Sequence, residues 1–290
     1  MEVSLVVGTF NNPEGLYLSV FAALQQLEKV NFPWEIIISA DNGVPQKYEQ
    51  AHKNIRVLRL TGGNRTCSPQ GTRDAGIRVA QYKNVLCIDS HVIISDIERW
   101  VDIHEKLNAT ISFPAMIGAS GEMWKLYGSE FDWEKSFWYT HVLSEPASPK
   151  PYRILQTSHS GFMVSRDWYL ANGGYTNLQD GYGGEETFLG IKSWMTGGEN
   201  YMIPEISHAH YQPAGRNEGA EHKENYKRNF MVAAYVMGGR KYLDFTEQFY
   251  NARLKITPEI EEERQRIVRG KFRGDLDLFR EYCREQGIIN

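Results

Sequence analysis

The 290-residue chain carries 41% hydrophobic and 23% charged residues and a formal charge of -4, the balance of a soluble globular protein with room for one large or two small domains; that charge does not announce a nucleic-acid binder, though local basic patches can coexist with an acidic total. Its three cysteines, Cys67, Cys87 and Cys283, have no paired spacing, which argues against a disulfide framework or a structural zinc site. No segment reaches the ~18 apolar residues of a membrane span and the start "MEVSLVVGTF" lacks the basic, long-apolar pattern of a signal peptide, so a cytoplasmic setting (host cytoplasm for a viral protein) is expected.

In chain order, Ser4 to Phe10 reads as a strand and Pro13 to Val30 as a helix with Leu16, Val20, Leu24 and Leu27 on one side. Glu35 to Ala40 and Ile55 to Leu60 read as strands, Gln70 to Gln81 as a helix, and Val85 to Ile88 as a strand covered on both faces. Strands alternating with helices predict an α/β fold with a mostly parallel sheet, whose ligands sit beyond the carboxyl ends of the strands. The segments there are polar or Gly-rich: Thr9 to Asn12, Asp41-Asn42-Gly43, Gly62 to Arg65 and Asp89-Ser90-His91. The second half is less regular. An aromatic stretch, residues 123–139, precedes a strand and a helix ending at Gly173-Gly174. A Gly pair before Glu185-Glu186 opens a further helix, and "YMIPEISHAHY" reads as a strand with two histidines near its end. From about Glu218 the composition turns polar and helical.

Asp89 and His91 follow an apolar strand, and in extended backbone residues i and i+2 face the same side. They can converge on a divalent cation, or merely cap a turn at the strand end. One carboxylate oxygen and one imidazole nitrogen suit Mn²⁺ better than Ca²⁺. The two acids Glu185-Glu186 fit a helix start because of its dipole, but that does not account for the "GYGG" before them.

Four motifs in order, "CIDSHV", "FDWEKSFWY", "GYGGEETFLGIKSWMTGG" and "ISHAHYQPAGR", resemble the catalytic domain of polypeptide N-acetylgalactosaminyltransferases, and more distantly the family-2-type glycosyltransferases. The resemblance covers roughly Ser4 to Tyr250 and implies a GT-A fold, a Rossmann-like nucleotide-sugar-binding sheet with helices on both faces, here with a C-terminal helical extension. The implied domain is 1–250, with a nucleotide-binding half at 1–92 and a donor-sugar and acceptor half at 93–217, and a helical tail at 251–290. The implied activity is transfer of a hexose or N-acetylhexosamine from a UDP-sugar with Mn²⁺, or another divalent cation such as Mg²⁺, as cofactor.

By this resemblance Asp89, His91 and His210 hold the metal, with His208 the neighbour less well placed by its distance from the Gly-Gly-Glu motif. Thr9, Asp41, Arg73 and Ser90 are the implied nucleotide contacts, Arg65 being an alternative and a surface helix position the competing reading of Arg73. Glu185 corresponds to the glutamate that holds hydroxyls of the donor sugar, after Tyr182 and Gly184. Glu186 replaces the family's asparagine and matches the general base of inverting relatives, so either stereochemistry is open, with retention expected. Trp133, Phe137 and Trp138 are candidate sugar or acceptor contacts, and Arg216 a lid residue that could reach the diphosphate. A binding protein without turnover is the alternative from another class. The acceptor is open: a glycan, a protein, a small molecule or a hydroxymethylated base in DNA. Basic residues gather late (among them Arg240, Lys241, Arg253, Arg264 and Lys271), as a charged helical tail or as a phosphate-backbone patch.

Overall fold

The first strands are built of residues that pack on both sides. Val3, Leu5 and Val7 enter one apolar core and Val6 the other, and Ile36 and Ile38 divide from Ile37 in the same way. Such continuous apolar runs belong to a parallel sheet sandwiched between helices. The computed structural model describes residues 1–9, 13–40, 47–60, 69–118, 124–137, 139–157, 160–175, 183–211 and 220–289. Through the first half the elements are β1 (Val3–Thr9), α1 (Pro13–Leu27), β2 (Trp34–Ala40), α2 (Lys47–Ala51), β3 (Ile55–Arg59), α3 (Pro69–Val79), β4 (Asn84–Asp89), β5 (Val92–Ile94), α4 (Ile97–Leu107) and β6 (Ile111–Gly118). There follow β7 (Trp124–Leu126), β8 (Ser129–Phe131), β9 (Tyr139–Val142), β10 (Tyr152–Arg153), β11 (Gly161–Ser165), α5 (Arg166–Ala171), α6 (Glu185–Met195), β12 (Asn200–His210), α7 (Ala220–Gly238), α8 (Arg240–Tyr250), α9 (Pro258–Val268) and α10 (Leu276–Glu285).

The main sheet runs β10-β12-β6-β11-β4-β1-β2-β3, with β5 paired to β12 and β7 to β6. β1 to β4 are mutually parallel where they pair, and β11 inserts antiparallel between β4 and β6. Two placements matter for function. The carboxyl ends of β1 and β4 lie side by side, Gly8 opposite Asp89, and the end of β12 is brought to β5 with His210 opposite Val92. The α/β architecture expected from the sequence is therefore present, with the predicted elements of the first third within a few residues of their expected bounds.

A third apolar cluster joins α6 and α7 to the C-terminal helices. Phe188, Ile191 and Trp194 pack with Phe230, Val236, Ile260, Ile267, Phe279 and Cys283. The residues after 250 thus share a core with the segment that carries Glu185. Lys192 of α6 is fully buried, donates to the Gly174 carbonyl at 2.8 Å and pairs with Glu263 of α9 at 2.5 Å. Removing one partner of a buried pair leaves the other charge stranded, which costs about 3–5 kcal/mol. Lys192→Met is expected to lose stability toward the lower end of that range in thermal or urea unfolding, because Arg266 Nε still lies 3.4 Å from Glu263 Oε2, and Lys192→Met/Glu263→Met to recover most of it. Equal stability of the single variant and the wild type would show that the pair holds nothing together.

Candidate active site

β4 stops at Asp89, and Ser90 and His91 form a turn before β5. The sequence argument placed Asp89 and His91 on one face of a continuing strand. In the structure their approach comes instead from the turn, which is pinned on three sides. The Asp89 N–H donates to the Ser160 carbonyl at 3.0 Å, the Ser90 N–H to the Gly8 carbonyl at 3.1 Å, and the Val92 N–H to Ser19 Oγ at 2.9 Å. The Tyr211 N–H donates to the His91 carbonyl at 3.0 Å, fastening the end of β12 to the same turn.

His91 Nε2 and His210 Nε2 face each other at 3.0 Å, and with an Asp89 carboxylate oxygen these ligand atoms lie within 4.8 Å of one another. Two ligands each ~2.1 Å from one ion stand ~3 Å apart when they meet at a right angle. The spacing therefore fits a single divalent ion, and two imidazoles plus one carboxylate suit a first-row metal such as Mn²⁺ while leaving positions for substrate oxygens. Burial pushes the Asp89 carboxyl up, but Arg73, His91 and His210 together outweigh it and hold it below its usual range, in the ionised form that a ligand needs. His208 is excluded from this cluster. It is buried beside Ser160, its Nε2 2.8 Å from Ser160 Oγ, and burial pushes its imidazole down to about 3, a neutral core histidine.

Arg73 is no surface residue. It is 3% exposed, its Nη2 donates to Asp89 Oδ1 at 2.6 Å, and its Nη1 lies 3.9 Å from Glu185 Oε1. The guanidinium expected to meet the nucleotide is committed to the two carboxylates. Burial lowers the basicity of Arg73, while Asp89, Tyr175 and Glu185 raise it, and the net shift is upward, so its charge is permanent. One arginine thus bridges the cation cluster to the residue expected to hold the sugar.

Glu185 opens α6 and is 2% exposed. Burial raises its pKa, with Arg73 opposing. Gly183 and Gly184 lead into it with φ of +94° and +79°, a left-handed path that favours glycine. A Cβ on Gly183 would stand 2.1 Å from the Tyr226 ring, so the approach has no room for a side chain. Asn229 Nδ2 donates to the Gly183 carbonyl at 2.9 Å, which makes α7 the support of this turn. Glu186, the next residue, is partly exposed.

Thr9 and Ser90 are buried at the ends of β1 and β4, beside the cation cluster. Trp133 and Phe137 require correction. Trp133 packs edge-on against Phe131, Phe137 and Phe279 with Arg280 over its ring, and Phe137 is fully buried. They are core residues that dock the C-terminal helices, and not sugar or acceptor contacts. Asp41, Arg65, Trp138, Tyr182 and Arg216 lie outside the described residues. Sequence reasoning missed Gln70 and Asn229, both buried against the Gly183–Glu185 turn. Gln70 carried a signal: it precedes Arg73 by one helical turn and shares its face.

A mixed sheet with a parallel N-terminal half, helices on its faces and a carboxylate and two histidines at its strand ends is the GT-A class of fold, as the solved structures that superpose on it show. The sequence profile of glycosyl transferase family 2 matches residues 4–170, and the chain belongs to that family. It is 31% identical over 199 residues to N-acetylgalactosaminyltransferase 6 of Drosophila melanogaster, a match covering 61% of this chain and 28% of that protein. The chain thus corresponds to roughly a quarter of the curated relatives it matches. Among solved structures it superposes on GalNAc-T7 with UDP, GalNAc and Mn²⁺ at a TM-score of 0.76, with 15% identity, over 99% of this chain and 58% of that one. Staphylococcus aureus TarS in complex with UDP-GlcNAc aligns at a TM-score of 0.55 and 16% identity, over 99% of this chain and 92% of that one. Both resemblances expected from the motifs are thereby found.

Proposed function

We propose that the protein is a metal-dependent glycosyltransferase that moves a hexose or N-acetylhexosamine from a UDP-sugar to an acceptor hydroxyl with retention of configuration. The observation that carries this reading is the bridge at Arg73, which sets a cation cluster and a buried carboxylate in one charged array at the strand ends. Asp89, His91 and His210 would hold the ion, which when bound supplies Lewis-acid stabilisation of the departing diphosphate. Arg73 keeps Asp89 ionised and aimed. Glu185 accepts hydrogen bonds from hydroxyls of the transferred sugar, and its place at the start of a rigid, buried helix fixes where that sugar sits. In retention the departing phosphate takes the acceptor's proton, and Glu186 is not required as a base.

Several late basic residues are paired with acids at the protein surface or with backbone carbonyls of the C-terminal helices. Arg240 pairs with Asp244 and Glu247, Arg253 with Glu247, and Lys241 with Asp277. Arg264 donates to the carbonyls of Val236, Met237 and Gly274. This favours a charged helical surface over a phosphate-backbone patch, and so a glycan, protein or small-molecule acceptor over DNA. The free thiols Cys87 and Cys283 agree with a cytoplasmic setting, and among the described residues no helix is long and apolar enough to cross a membrane.

The test is UDP release by the purified protein from a panel of UDP-hexoses and UDP-N-acetylhexosamines with Mn²⁺. At least one donor is expected to be consumed, with activity lost to a chelator and regained on adding Mn²⁺. Tight UDP-sugar binding without consumption of any donor, with acceptors of every class supplied, would instead identify a binding protein. Binding to duplex DNA that weakens steeply with salt would revive the DNA acceptor.

A further inference from the structure

Gln70 stands on α3, one turn before Arg73, and is 2% exposed. Its Nε2 lies 3.1 Å from Glu185 Oε2 and 3.5 Å from the Gly183 carbonyl. Both neighbours are acceptors, so the amide must present its NH₂ end to them, and its orientation is determined. Its other end, Oε1, is buried with no hydrogen-bond partner among the described residues. A glutamine kept only for packing would satisfy both ends or be replaced by an apolar side chain, since a buried unpaired acceptor is a net cost. This one accepts that cost to place its donor on a carboxylate.

The neighbourhood explains why Glu185 needs to be held. Arg73 Nη1 lies 3.9 Å from Glu185 Oε1 and, like Nε, has no hydrogen-bond partner among the described residues. In a buried site opposite charges attract strongly, and nothing in that pair alone prevents Glu185 from closing onto the guanidinium. We propose that Gln70 is a positioning residue for Glu185: it pins the Oε2 side of the carboxylate and the turn at Gly183, so that Glu185 stays clear of Arg73 and open to the transferred sugar. Arg73 then remains with Asp89. The proposal rests on the reading of Glu185 as the sugar-holding group.

The test compares Gln70→Met, which keeps the volume and removes the donor, with Glu185→Gln and with the double variant, each assayed for kcat, for KM of the donor that the wild type consumes, and for UDP binding. Gln70→Met is expected to lower kcat by roughly 10- to 100-fold, the scale of one hydrogen bond to a charged group, with UDP affinity unchanged. In the Glu185→Gln background the same substitution is expected to cost nothing further, because the group it positions has already been altered. Full kcat in Gln70→Met, or losses that multiply in the double variant, would overturn the proposal and leave the reading of Glu185 intact. Normal turnover in Glu185→Gln would overturn both. Should Gln70→Met fail to fold, Gln70→Leu also removes the donor, with a different fit to the same space. Turnover near wild type in that variant would likewise refute the role, and a loss of kcat at unchanged UDP affinity would support it.

Discussion

His210→Ala is expected to reduce cation-dependent turnover by about 10³-fold or more, since Lewis-acid stabilisation of a leaving phosphate is worth several kcal/mol and each 1.36 kcal/mol is tenfold in rate. His210 ends β12 and is nearly buried, so the substitution removes one ligand without uncovering a charge. Asp89→Ala should be as inactive, but for two reasons. It removes a ligand, and it strips buried Arg73 of its 2.6 Å partner, which costs about 3–5 kcal/mol of stability. Asp89→Asn keeps a hydrogen-bond acceptor for Arg73 and separates the two effects. UDP release measured against Mn²⁺ concentration, with unfolding curves for each variant, distinguishes them. Full activity of His210→Ala in a chelator would defeat the metal assignment.

Glu185→Gln is expected to cost turnover far more than UDP affinity, because in the proposed reading the carboxylate holds the sugar and not the nucleotide. An equal loss of both would reduce Glu185 to a helix-start residue. Substitution of its neighbour Glu186 tests the stereochemistry. With retention, Glu186→Gln keeps a substantial fraction of activity, and NMR of the product shows an α-linkage from an α-linked donor. If Glu186 were the base of an inverting reaction, the same substitution would cost roughly 10² to 10⁴ in rate and the wild-type product would be β-linked. A β-linked product overturns retention while leaving the donor and the cation ligands in place. Glu186 is the more exposed of the two acids, and glutamine keeps its size, so the substitution changes charge more than packing.

What could be read from residue order was local. The apolar runs of β1, β2 and β4 announced strands, that of β4 one covered on both faces, because side chains alternate along a strand and both sets are apolar there. The "GYGGEE" turn announced a helix start that needs glycine, and the distance from it to His210 selected that histidine over His208. Those signals lie within one element or in a motif of fixed spacing. The convergence of the cation cluster was not local. Asp89 and His91 come together through a turn pinned by Ser160, Gly8 and Ser19, and His210 joins them because β5 pairs with β12, contacts between residues far apart in the chain. The fate of Arg73 was undecidable from sequence, since a helix arginine faces solvent or core according to what packs on it, and only the fold sets Asp89 and Glu185 on either side of it. The aromatic stretch around Trp133 had a composition that suits a sugar platform and a core equally well. Tertiary packing buried Trp133 and Phe137 within it, α10 laying Phe279 and Arg280 against the Trp133 ring.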